Sequence, residues 1–440
     1  MESRKGWEGE NFMAIYNSRG AAGTQRRHAA PANGHPAVRP SVSSAASPAV
    51  AKVRGKWKSR LKIFSTRSGM DLTFFFLVLL LVCIGLVMVF SASYANSSYR
   101  FGTPYFFVKN QAKYAVLGVV VMMMLSYFDY HHLHKLTFPV YLITVILLGI
   151  TVVFKGSSLV KLTNGAYRWI TIGGFQFQPS EIAKFALVLV FAHLLSTAPD
   201  KKDKRSRRIR TLTYVATIGI LCGLVVAEKH MSATIILLLL AAVMLFIGGL
   251  PAKWFVGGII VASAALIFVA NLPYYQHVST RFTIWKNPWD PSLSSNDAWQ
   301  TQQSLYAIGS GRLLGLGLGK SRQKYLYLPE PQNDFIFSIV CEELGFIGAL
   351  VIIILFALLI WRGVMIALRA KDRFGMLLGV GLIMQVGIQV VLNIAVVTNT
   401  IPNTGVSLPF FSYGGTSMVM LLAQMGIILS ISRTSSIEKS

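Results

Sequence analysis

Residues 71–94 read DLTFFFLVLLLVCIGLVMVFSASY, and no charged side chain interrupts the run after Asp71. That is the length an apolar helix needs to cross a bilayer, about 20 residues. Nine further runs of the same kind follow, near 110–127, 137–154, 181–197, 212–227, 231–249, 254–271, 335–361, 374–397 and 413–431. The pattern predicts an all-α polytopic membrane protein of about ten transmembrane helices, with a large loop at 272–333 between spans seven and eight. Composition agrees. Of the 440 residues, 53% are hydrophobic and only 13% charged, against about 25% charged in a soluble domain. A simple soluble enzyme is excluded. Cys83, Cys222 and Cys341 lie singly inside apolar runs, which reads as buried thiols and not as a disulfide or zinc framework.

The chain carries a net charge of +25. A surplus of that size suggests either a nucleic-acid partner or basic residues sorted to the cytoplasmic side of a membrane. Position decides between them. Residues 1–70 contribute +10, residues 198–211 (including KKDKRSRRIR) +5 and residues 362–373 +3, together 18 of the 25. With ten spans and a cytoplasmic N-terminus, all three segments fall on one side, so no nucleic acid is needed. Residues 1–70 read as a disordered basic cytoplasmic tail, because 19–51 is rich in Ala, Pro, Ser and Gly without an apolar period. The basic run at 52–62 suits anionic lipid head groups. No apolar h-region precedes Asp71, so the N-terminus does not read as a cleavable signal peptide. The membrane domain is expected over 71–432, with a cytoplasmic tail at 433–440.

This topology leaves loops near 155–180 and 272–333 outside, and the second holds Trp285, Trp289 and Trp299. The first enters a helix as Gln178-Pro179-Ser180-Glu181-Ile182-Ala183-Lys184. Pro179 suits a helix start, and Ser180 or its predecessor can cap it. Glu181 and Lys184 share a helical face and can pair, either as a stabilising ion pair or as the wall of a polar cavity. Arg168, beside Trp169, can grip phosphate oxygens or simply snorkel. In the large loop, Asn287-Pro288-Trp289-Asp290-Pro291 sets Asp290 between prolines, a rigid placement that suits a general base, or merely an Asp-Pro turn. Asp297 and Glu330 are its rivals. Lys320, Arg322 and Lys324 follow a Gly-rich stretch that resembles a nucleotide loop, but Leu314 stands where that motif needs Gly and no strand precedes it. They remain as phosphate contacts or as a solvated basic loop. Glu342 and Glu343 fall within the eighth span, where adjacent residues project about 100° apart and cannot share one site equally. The Gly- and Pro-rich segment 402–417 reads as a fixed non-helical stretch packed within protein.

GAYRWITIGGFQFQPSEIAK at 165–184, NPWDP at 287–291, QSLYAIGSG at 303–311, YLPEPQNDFIFSIVCEELGFIG at 327–348 and LPFFSYGGTS at 408–417 together resemble the SEDS family. These are the shape, elongation, division and sporulation proteins of bacterial wall synthesis, and the PEPQNDFIF run is most similar to the division and sporulation branch. The resemblance implies a glycosyltransferase that polymerises lipid II into peptidoglycan at the outer face of the cytoplasmic membrane, releasing undecaprenyl pyrophosphate, with a septal location. It implies a class B penicillin-binding protein, a transpeptidase, as partner, along with other divisome or sporulation proteins. The family's essential loop Asp matches Asp290. Trp289 abuts Asp290 where the family usually has an intervening residue, the stretch to the Gln-Ser motif is longer, and Glu228-Lys229-His230 lacks the family's usual Pro, so His230 receives no role. Asp290 is thus expected as the base, Arg168, Lys320 and Arg322 as cations for the departing pyrophosphate, and Glu181 and Lys184 as the cavity's polar network. A divalent cation (Mg or Mn) could share the charge, although no ligand cluster is visible. The alternatives are a lipid II flippase, whose hallmarks would be inverted repeats and broken helices, and a non-catalytic divisome scaffold.

Overall fold

The computed structural model describes residues 69–160, 166–173, 175–197, 204–250, 257–258, 276–290 and 295–435. The basic tail up to residue 68 and nearly all of the span expected at 254–271 lie outside the described residues. The helices are α1 (Leu72–Phe101), α2 (Phe106–Tyr127), α3 (His131–Val153), α4 (Pro179–Ser196), α5 (Lys204–Ala227), α6 (Met231–Ile247), α7 (Gln276–Lys286), α8 (Ser295–Gly311), α9 (Ile336–Leu368), α10 (Arg373–Val397) and α11 (Gly415–Thr434). Two short antiparallel strands, β1 (Ile170–Ile172) and β2 (Phe175–Phe177), precede α4, with Ile170 opposite Phe177. Among the described residues, seven helices are long and apolar enough to cross a membrane: α1, α3, α4, α5 from Arg208, α9, α10 and α11. The protein is a multi-pass membrane protein. The strands had no signal in local pattern, and α7 and α8 make much of the 272–333 loop helical.

Burial separates the central helices from the peripheral ones. In the apolar window of α4, 72% of residues are buried, and 67% in α10 and α11, against 22% in α3 and 28% in α5 and α9. Apolar side chains facing lipid gain nothing by leaving it, so close packing holds the central helices together. Small residues permit it: Gly118 of α2 lies against Leu422 of α11, and Gly426 of α11 against the Met122 carbonyl of α2. At one face of the bundle Asp71 caps α1 by accepting from the Phe74 amide at 2.9 Å and pairs with Arg362 at 2.7 Å. On the same face Asp372 caps α10, accepting from the Gly375 amide at 2.9 Å and from the Tyr130 hydroxyl.

α9 is not one helix. Gly345 leaves helical geometry at φ 68°, ψ −171°. Beyond the break, the Phe346 and Ile347 amides donate to the Arg312 and Leu313 carbonyls at 2.8 and 3.1 Å. Before it, the Glu342 and Glu343 carbonyls accept from the Leu316 and Gly317 amides, each at 2.9 Å. The segment after α8 therefore takes over the bonds a continuous helix would have made. This corrects the expectation of an uninterrupted eighth span opening near 335. The break divides off a short arm, 336–344, and leaves residues 346–368 long enough to span. Glu342 and Glu343 sit in the arm, both fully buried. Glu342 accepts from the Ser321 hydroxyl and the Arg322 amide, and Glu343 pairs with Lys324 at 3.0 Å and accepts from the Ser91 hydroxyl at 2.7 Å. Both find partners in the same connection, where Ser321 bonds Glu342 through its hydroxyl and Glu343 through its amide, the latter at 3.2 Å.

An added Cβ at Gly345 would strike the backbone of Leu313, Leu314 and Gly315, and its φ/ψ is open to glycine alone. Gly345→Ala is expected to cost on the order of 3 kcal/mol. Thermal unfolding of the purified chain in detergent measures this, and an unchanged transition would contradict the break.

Candidate functional site

At the face where α4 and α11 begin, the bundle encloses a cavity of about 610 Å³. Its polar wall holds Arg168, Gln178, Glu181, Lys184, His230 and Asp334, and its apolar wall includes Phe106, Ile236 and Leu421. The β1–β2 hairpin delivers the chain to α4, where Gln178 is the N-cap residue and Pro179 occupies the first turn. Ser180 does not cap. Its hydroxyl lies 3.1 Å from His230 Nδ1, and Gln178 Nε2 is 3.3 Å from the same atom. The α5–α6 turn is thereby tied to the start of α4. One turn on, Lys184 Nζ donates to Glu181 Oε1 at 2.8 Å, with both side chains buried. Pairing offsets part of the cost of burying either charge alone.

The turn residues are tuned by burial. Desolvation holds His230 well below the usual imidazole range, and Arg168 and Lys184 push the same way, so its ring is neutral. Burial raises Glu228 to about 8 against the opposing pull of the Thr151 hydroxyl, Arg168 and Lys155. Asp334 sits just before α9. Burial raises its pKa, while Arg168 and Arg281 act to lower it.

The far wall is a non-helical segment from 402 to 414, fixed by side chains that satisfy its backbone. Asn393 of α10 donates to the Asp334 and Val406 carbonyls at 2.7 and 2.6 Å. Gln111 of α2 donates to the Ser412 carbonyl at 3.2 Å and accepts from the Gly414 amide at 3.1 Å. Such backbone is tolerated at membrane depth only where it is buried in protein.

The structure thus brings Arg168, Glu181 and Lys184 together. Asp290 is half-buried on the turn between α7 and α8, its amide donating to the Asn287 carbonyl at 3.3 Å, and it does not line the cavity. Gln302 fixes that turn by donating to the Pro288 carbonyl at 2.7 Å. Lys320 and Arg322 are exposed and also lie outside the cavity lining, whereas Lys324 is buried against Glu343. The side chain of Asp297 lies outside the described residues. Glu330 pairs with Arg100 at 2.7 Å. His230 and Asp334 were missed by sequence reasoning. Asp334 carried one usable signal, a carboxylate immediately before an apolar run. Among the described residues no group of three or more His, Cys, Asp or Glu could hold a metal ion.

The model of one family, described as "Cell cycle protein" and spanning FtsW, RodA and SpoVE, matches residues 71–437. The chain belongs to that family. Within it, Stage V sporulation protein E of Bacillus subtilis is 40% identical over 373 residues, covering 84% of this chain and 98% of the relative. A probable peptidoglycan glycosyltransferase FtsW of Geobacter sp. (strain M18) is 36% identical, covering 83% and 97%. A solved chain described under "Structural coordination of polymerization and crosslinking by a peptidoglycan synthase complex" superposes with a TM-score of 0.68 at 25% identity, covering 84% and 99%. RodA of Thermus thermophilus shares the family fold, with a TM-score of 0.61 at 24% identity.

Removing one member of the Glu181–Lys184 pair strands a buried charge. Lys184→Met or Glu181→Gln alone is expected to cost about 3–5 kcal/mol, and the double variant less than the sum of the two. A double-mutant cycle by denaturation in detergent checks this. Additive losses would show that the pair is not coupled.

Proposed function

We propose that the chain is a peptidoglycan glycosyltransferase that polymerises lipid II into glycan strands at the outer face of the cytoplasmic membrane and releases undecaprenyl pyrophosphate. The observation that carries this reading is a membrane-embedded cavity lined by a guanidinium, a buried ion pair and a carboxylate, in a family whose curated relatives bear glycosyltransferase names. The cavity lies on the face opposite the Asp71–Arg362 pair. The basic 362–373 connection, on the side of that pair, supports a cytoplasmic assignment for it by the positive-inside rule, and with it an outward-facing cavity.

In this mechanism Asp290 accepts the proton of the acceptor sugar's 4-hydroxyl. The oxygen attacks the donor's anomeric carbon, the bond to the diphosphate breaks, and configuration inverts. Cations at the cavity stabilise the charge that builds on the leaving group. Glu181 and Lys184 hold the wall and do not react. Asp290, outside the cavity, serves the acceptor while the cavity takes the donor's head. The solved relative comes from a complex of polymerization and crosslinking, which supports a class B penicillin-binding protein as partner. The 40% identity to a sporulation protein supports service in division or sporulation.

The broken helix α9 favours a second reading, a flippase, because discontinuous helices mark transporters. The break, however, falls near one end of α9 and is filled by the chain's own connection. Polymerase is the better account. Asp290→Asn is expected to lower glycan polymerisation from lipid II by about 100-fold or more, assayed with the purified full chain and its transpeptidase. Full activity in that variant, with loss in Asp297→Asn, would move the base to Asp297. Lipid II scrambling in vesicles without polymer would favour the flippase.

A further inference from the structure

The connection after α8 carries an exposed surface that the cavity does not use. Leu313, Leu314, Leu318, Tyr325, Leu326 and Tyr327 are all more than half exposed, Leu314 at 79%. Water-facing surfaces rarely gather so many large apolar side chains in one place. Arg312, Lys320 and Arg322 are exposed in the same stretch, which reads RLLGLGLGKSRQKYLY over 312–327 and contains no acid. Lys324, its remaining cation, is buried and paired with Glu343 at 3.0 Å.

Two helices fix the depth of this surface. Residues 346–368 of α9 rise about 35 Å as a helix, enough to cross a hydrocarbon core of about 30 Å. The break at Gly345 therefore falls at the membrane boundary. Along α1, Ser91 stands about 30 Å from the Asp71 cap. Its hydroxyl bonds Glu343, two residues before the break. Both distances put the connection where hydrocarbon gives way to head groups, on the side opposite the Asp71–Arg362 pair. The surface is also continuous with the outside of a span. The Phe346 and Ile347 amides donate to the Arg312 and Leu313 carbonyls, and Phe346, Ile347 and Val351 are exposed on α9.

We infer that residues 312–327 form an interfacial anchor, with apolar side chains in the acyl boundary and Arg312, Lys320 and Arg322 on the phosphates of anionic lipids. Leucine and tyrosine interleaved with cations suit a segment lying in the bilayer surface. Charge selects lipid over protein as the occupant. Three exposed cations without an acid complement a layer of phosphodiesters, whereas protein interfaces are depleted in lysine. The membrane thereby holds in place the segment that fills the break in α9. The inference goes beyond the polymerase reading and stands without it.

Electron paramagnetic resonance on the full chain in nanodiscs tests the depth. A nitroxide is attached at Leu314→Cys, at Leu326→Cys or, as the in-membrane reference, at Val351→Cys, in a chain carrying Cys83→Ala, Cys222→Ala and Cys341→Ala. Labels at 314 and 326 are expected to meet dissolved oxygen and to be shielded from a water-soluble nickel chelate, as at 351. Nickel access at 314 and 326 in the chain alone would overturn the anchor. Shielding that arises only when the transpeptidase is added would overturn it too, and would give the surface to that partner. The head-group contacts are tested without cysteine changes, by thermal unfolding in nanodiscs of phosphatidylcholine with and without phosphatidylglycerol. Phosphatidylglycerol is expected to raise the transition of the natural chain, and to raise it by less in the double variant Lys320→Gln, Arg322→Gln. Equal shifts in the two chains would overturn the role of these cations.

Discussion

The exchange of backbone hydrogen bonds at Gly345 is the constraint on which the rest of the site depends. Backbone amides and carbonyls released inside a membrane protein have no water to turn to, and each orphan costs several kcal/mol. The chain solves this by laying 312–317 into the gap, so that the Phe346 and Ile347 amides and the Glu342 and Glu343 carbonyls are all satisfied. Glycine is required on both sides, because Gly315 and Gly345 meet backbone to backbone. The arm 336–344 then takes its own direction and brings Asp334 to the cavity. A continuous α9 would leave both the α8 connection and the arm without their partners.

The same logic governs the opposite wall. Asn393 spends its amide on two carbonyls, those of Asp334 and Val406, and so fastens the α9 entry to the 402–414 segment. Gln111 fastens that segment to α2. A buried amide side chain in a membrane helix is expensive unless it does such work. Both residues act as staples between a regular helix and irregular backbone.

Much of this was legible in the sequence, and the limits were physical. Apolar length marks a span regardless of its neighbours, so nine of the ten expected runs coincide with described helices. The Glu181–Lys184 pair was legible because a spacing of three on a helix is a local fact. The break in α9 was not: Gly345 sits within a stretch that reads as a single span, and its conformation is imposed by Gly315, thirty residues earlier. Glu342 and Glu343 could not be assigned for the same reason, since their partners come from 321–324. His230 was passed over because its turn lacked a familiar proline. Its contact with Ser180 joins elements fifty residues apart and leaves no trace in local pattern.

Charge placement shows two uses of buried ions in one chain. Lys324 is enclosed by Glu343, Ser91 and the Gly319 carbonyl, at 2.6 Å from the last. Every donor it points inward is used, so it ties the connection after α8 to α1 and α9. Arg168 stands the other way. It has a charged fork, a cavity in front of it, and a buried nitrogen with nothing to bond. Its place on the cavity wall, where Lys184 is already paired with Glu181, separates an arginine that faces the site from lysines that hold the structure.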